Sequence, residues 1–86
     1  MRSSITKTFR AEFERLPEPV RRAAVKNYRL WIREPRHPSL HFKRVGAYWS
    51  VRVGGGYRAL GREKDGCLYW FWIGDHRTYE RLIGGG

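Results

Sequence analysis

The chain has 86 residues, enough for one hydrophobic core and too few for two. Its 41% apolar and 15% aromatic content, with four Trp and five Tyr, excludes a disordered tail despite 30% charged residues. Eighteen Lys and Arg against eight Asp and Glu give a formal net charge of +10, and a single cysteine, Cys67, excludes an internal disulfide.

In chain order, Ile5, Lys7 and Phe9 alternate with Ser4, Thr6 and Thr8, which predicts a strand over about residues 3–8. Phe9, Phe13 and Leu16 then recur at helical spacing until Pro17. A second helix is expected from near Pro19, with Val20, Ala24, Tyr28 and Trp31 as its apolar stripe, ending close to Glu34 because Pro35 follows. The segment "REPRHPSLHFKRVG" reads as a loop with a short extended piece at Leu40 to Val45. "YWSVRV" has a period of two, with Trp49, Val51 and Val53 on a buried face and Tyr48, Ser50 and Arg52 on a wet one. Three glycines at 54 to 56 turn the chain, "YRALGRE" returns, and Asp65-Gly66 is a favoured hairpin pair.

"CLYWFWIG" is apolar on both faces and reads as a central strand broken at Gly74-Asp75, with Cys67, Trp70 and Trp72 as core. Asp75 then caps a short helix over residues 76–83. The expected architecture is α+β: an N-terminal strand and a helical hairpin packed on a mostly antiparallel sheet of about four strands, closed by a short C-terminal helix. One domain should span residues 1–83, followed by a flexible glycine tail at 84–86. The amino end lacks a signal-peptide stretch and no run has membrane-spanning length, so a cytoplasmic protein without membrane contact is expected.

No acidic residue lies between Pro35 and Arg62, while Arg36, Lys43, Arg44, Arg52, Arg58 and Arg62 do. Phosphate backbones or an acidic protein complement such a surface. There is no phosphate-cradling loop, dinucleotide fingerprint or nucleophile elbow, and His37, His41 and His76 lack metal-ligand spacing, so no cofactor or metal is expected. Arg52, Arg58 and His76 can converge on one surface, flanked by Lys43 and His41. RNA cleavage by the ribose 2′-hydroxyl needs those residue types: His76 as acid or base, Arg58 and Arg52 as phosphate clamps, and Tyr79 to stack a base or lend its hydroxyl. His76 would also sit at a helix start, where anions bind. Each has a plainer rival: Tyr79 packing on the sheet, His76 as a solvated first-turn residue, and Arg58 in an ion pair with Glu63 or Asp75.

"HPSLHFKRV", "YWSVRVGGGYRAL" and "WFWIGDHRTYERLI" together resemble the RelE/ParE superfamily of bacterial type II toxins, in order and spacing over nearly the whole chain. The RelE/HigB/YafQ-like branch implies a metal-independent endoribonuclease that cuts messenger RNA on the ribosome, and an acidic antitoxin that neutralises it. By position, the resemblance implies that Arg58 stabilises the phosphate and that His76 and Tyr79 form the rest of the catalytic set. Lys43 and Arg44 fall where members carry a basic cluster or a catalytic Glu or His. No carboxylate occupies that stretch, which leaves His76 or a lysine as the base. The resemblance implies a monomer, or a hetero-oligomer with the antitoxin. The ParE branch shares the fold but inhibits DNA gyrase, and a noncatalytic RNA-binding module is the third possibility.

Overall fold

The apolar run at residues 67–75 forms a strand near the middle of the sheet, flanked on both sides, and the rest of the fold is ordered around it. The structure is a computed structural model that describes residues 2–84. Its five-stranded sheet has the order β1-β5-β4-β3-β2, with β1 Arg2–Ile5, β2 Lys43–Val45, β3 Tyr48–Val53, β4 Tyr57–Lys64 and β5 Cys67–Asp75. Strands β2 to β5 form an antiparallel meander, and β1 pairs with β5 in parallel. The class is the expected α+β: the N-terminal strand joins the four strands of the meander and gives the sheet one parallel edge. The meander is closed by short turns; at one of them Asp65 and Gly66 both take positive φ, 52° and 79°, as a mirror-image hairpin turn requires.

The N-terminal strand is shorter than its alternation suggests. The Thr6 hydroxyl accepts the Phe9 N–H at 3.1 Å, which caps helix α1, Lys7–Glu14, and ends β1 at Ile5. Beyond that point the free edge of β5 is met by a side chain instead, the Ile73 N–H donating to Glu12 at 3.4 Å. Partial burial raises the Glu12 carboxyl above its ordinary range, against the lowering effects of that hydrogen bond and of Arg15.

Helix α2, Glu18–Arg33, begins between two prolines and stops before Pro35, as its sequence dictates. Both helices cover one face of the sheet. Leu16, Ala24 and Trp31 pack there with Val51, Val53, Ala59, Leu68, Trp70 and Ile73. Trp31 is the hub, edge-on to Trp70 at 5.4 Å and to Phe42 at 5.6 Å, and stacked on Tyr28 at 6.2 Å.

The extended piece expected at Leu40 to Val45 is shorter than predicted, and residues 38–40 precede it. They form a 3-10 turn capped by His37 Nδ1, which accepts the Ser39 N–H at 3.2 Å, and the buried Leu40 draws the turn inward. His41 follows in the left-handed region at φ 46°, so β2 starts only at Lys43. The last strand also continues past Gly74 through Asp75 before helix α3, His76–Ile83. Gly84, the first residue of the expected tail, closes that helix with its N–H on the Glu80 carbonyl, 2.8 Å; residues 85 and 86 lie outside the described residues. No described helix is long and apolar enough to cross a membrane.

Candidate functional site

The second face of the sheet carries the charged and hydroxylated residues. Strand register sets Arg52 directly opposite Arg58, and Arg58 opposite Gly74. Two like charges facing each other are destabilising unless an anion joins them. Among the described residues neither arginine has an ion-pair partner, so the expected alternative of Glu63 or Asp75 pairing with Arg58 does not occur. Arg52 is exposed, its Nε donating to the Gly54 carbonyl at 3.2 Å. Arg58 is partly buried, and its guanidinium lies 5.4 Å from the centre of the Tyr79 ring.

Among the described residues three buried polar atoms on this side, Arg58 Nη1, Tyr79 Oη and Ser50 Oγ, have no hydrogen-bond partner, as is also true of the indole Nε1 atoms of Trp31, Trp49 and Trp70 on the helix side. Buried polar groups are nearly always paired, so the cluster is chemically unfinished. Tyr79, at 2% exposure, does pack as its plainer reading held, but it packs on Arg58 and turns its hydroxyl inward. Ser50 was expected on a wet face and is instead fully buried, beside Leu60.

Helix α3 positions His76 and Tyr79. Asp75 caps it, Oδ1 accepting the Thr78 N–H at 2.8 Å, and that bond is the main reason the Asp75 carboxyl lies below its ordinary range. The His76 N–H donates to the Gly56 carbonyl at 2.8 Å, which ties α3 to the turn between β3 and β4. With that N–H used and a carboxylate already in place, the helix start is not the anion site expected of it. The His76 side chain is exposed; Nε2 lies 2.8 Å from Glu80 Oε1, and its ring stands 5.5 Å from that of Tyr79. Glu80 was missed in the sequence, although its place four residues after His76 is a spacing that pairs side chains on a helix.

The flanking residues divide. Lys43 pairs with Ser50 and therefore shares the face of Arg52 and Arg58. Arg44 does not: its guanidinium lies 5.5 Å from the Trp49 ring, and Trp49 packs toward the helix-side core. His41 is exposed beyond the end of β2, and no contact joins it to Arg58 or His76 among the described residues. Cys67 is partly exposed at the start of β5 rather than core. No group of three or more His, Cys, Asp or Glu suited to a metal ion gathers among the described residues.

A five-stranded mixed sheet with two helices on one face and a short C-terminal helix is similar in fold to solved RelE toxin chains. The Mycobacterium tuberculosis RelBE2 toxin–antitoxin complex contains a chain of this fold, with a TM-score of 0.64 and 24% identity over 86% of this chain and 95% of that one. A doubly substituted Escherichia coli RelE in the free state matches at 0.67 and 15%, over 94% and 88%. The Methanococcus jannaschii RelB–RelE complex matches at 0.65 and 18%, over 92% and 96%. No family model and no curated protein matches the sequence, so the likeness lies in the fold.

Proposed function

We propose that the protein is the toxin of a type II toxin–antitoxin system, a metal-independent endoribonuclease that cuts messenger RNA on the ribosome. The observation that carries this reading is Arg58: partly buried, stacked on Tyr79, with Nη1 unpartnered and facing a second arginine where a structural role calls for a carboxylate. Phosphate oxygens complete such a guanidinium with charge-assisted hydrogen bonds.

In the reaction, the ribose 2′-hydroxyl loses its proton as its oxygen bonds to phosphorus. The bond from phosphorus to the 5′ oxygen breaks, that oxygen takes a proton, and a 2′,3′-cyclic phosphate and a 5′-hydroxyl end result. Arg58 and Arg52 neutralise the charge that builds on the phosphate. Glu80 holds Nε2 of His76, which orients the ring and leaves Nδ1 to exchange a proton with the RNA.

An acidic antitoxin is the partner this reading requires, and the RelE chains from M. tuberculosis and M. jannaschii occur in complexes with an antitoxin. An apolar cleft of about 310 Å³ between α1, α2 and the sheet, bordered by Arg10, Glu14 and Arg29, suits the apolar face of an amphipathic segment.

The test is primer extension on a long messenger RNA within minutes of induction. Discrete new 5′ ends in coding sequence are expected, and they should vanish in His76→Ala and in Arg58→Ala. Growth arrest without cuts would sink the nuclease, and a supercoiling assay with gyrase would then examine the ParE-like alternative.

A further inference from the structure

The face that carries Arg58 also carries an aromatic surface that phosphate chemistry does not use. At the junction of β4 and β5 the register slips: Leu60 opposes Trp72, Gly61 opposes Trp70, and Phe71 is the extra residue of a bulge. Bulges re-aim side chains, commonly beside active sites. Here Phe71 joins its neighbour Trp72 on the arginine-bearing face, where its ring meets Tyr48 of β3 at 5.1 Å and the Arg62 guanidinium lies 6.0 Å away.

This is not a second core. Tyr48, Phe71 and Trp72 all remain partly exposed, and α3 reaches the sheet at its other end, through Tyr79 on Arg58. By register, the side chains that β2, β3 and β4 place on this face include Lys43, Arg52, Arg58 and Arg62 and no carboxylate. The Trp72 indole lies along its own strand over Gly74, the residue paired with Arg58, so apolar surface is continuous from the arginines to the Tyr48–Phe71 pair. Arg58 and Arg62 are four residues apart on one strand, about 13 Å at a strand's rise per residue, which a dinucleotide can span. Rings with guanidinium groups beside them stack nucleobases of any identity, whereas an acidic peptide uses the charge and leaves the ring faces unmatched.

Building on the ribonuclease reading above, we propose that Phe71, Tyr48 and Arg62 form a base-stacking subsite that holds a nucleobase of single-stranded RNA next to the phosphate bound at Arg58. The subsite positions the strand against the phosphate bound at Arg58 without selecting a base.

The experiment measures binding of the purified protein to a short oligouridylate, 2′-O-methylated to block cleavage, and to an abasic strand of equal length, at one salt concentration. Phe71→Leu keeps an apolar side chain in the bulge, and Arg62→Gln alters only an exposed side chain. Both should weaken oligouridylate binding, Phe71→Leu by about tenfold, as loss of one stacked base implies. Phe71→Leu should leave the abasic strand unaffected, and Arg58→Ala should weaken both strands. If Arg58→Ala weakens binding while Phe71→Leu and Arg62→Gln bind oligouridylate as the unchanged protein does, the subsite is refuted and RNA binding at Arg58 stands. The aromatic face would then fall to an acidic protein partner. If the unchanged protein binds neither strand, the subsite is refuted as a site for single-stranded RNA, whereas the ribonuclease reading, which places cleavage on the ribosome, stands or falls by primer extension.

Discussion

The two faces of the sheet are built from the same strands and have opposite chemistry. On the helix side β3, β4 and β5 contribute apolar residues, packed by Trp31 against Trp70 and Phe42. On the other side lie two facing arginines, three unpartnered buried polar atoms and partly exposed rings. Among the described residues the indole Nε1 atoms of Trp31, Trp49 and Trp70 are unpartnered on the first face too, and a cleft stays open there, so the contrast lies in charge: the first face is apolar, and the second sets arginines opposite one another with no carboxylate. A chain under selection for stability alone would place a carboxylate or an aliphatic residue at Arg58. The arginine there is the observation from which we propose that this face binds the RNA phosphate.

If the helix face holds the fold, Trp31→Ala should be the most damaging single change, costing about 3–5 kcal/mol in denaturant unfolding. A loss below about 1 kcal/mol would show that the core is centred elsewhere. Gly74→Ala probes the other face: a Cβ there would stand 2.5 Å from the Trp72 indole, so the ring must move. The expected cost is about 1–3 kcal/mol, with a changed tryptophan emission. An unchanged spectrum would mean that the indole does not lie over Gly74.

Asp75→Ala removes the cap of α3 and should lower the melting temperature at neutral pH. The folded-state carboxyl lies below its ordinary range, so its stabilisation is present above that range and is lost as pH falls through it toward the folded value. The two melting temperatures should therefore converge on acidification; a gap independent of pH would contradict the ionised cap. The smallest effect belongs to Glu18–Arg22, an exposed pair at 3.2 Å, whose removal by Arg22→Ala should change stability by less than about 0.5 kcal/mol.

Much of the helix-side face was legible. The period of two in "YWSVRV" places Val51 and Val53 inward, the spacing of Ala24 and Trp31 gives the buried stripe of α2, and Asp65-Gly66 and Asp75 perform their turn and cap. Local pattern failed where a long-range partner decides. Alternation around Thr6 fits a strand, yet its hydroxyl caps a helix, and parallel pairing of β1 with β5 joins segments more than sixty residues apart. An apolar run carries no phase, so the bulge at Phe71 could not be read from it.

The site was legible in part. Arg52, Arg58, His76 and Tyr79 do come together, whereas Arg44 and His41 do not, because His41 turns left-handed just before β2 and Arg44 points to the helix side. The Gly56 carbonyl that takes the His76 N–H lies twenty residues earlier in the chain, out of reach of any local reading of that helix start.

The most direct measurement pairs thermal unfolding with messenger RNA cleavage in Arg58→Ala. Removing the partly buried Arg58 side chain, whose Nη1 has no partner, should leave the melting temperature nearly unchanged, while cleavage falls by about 10²–10³-fold, as loss of a preorganised charge at a reacting centre implies. A lowered melting temperature with cleavage retained would make Arg58 part of the scaffold and contradict the account.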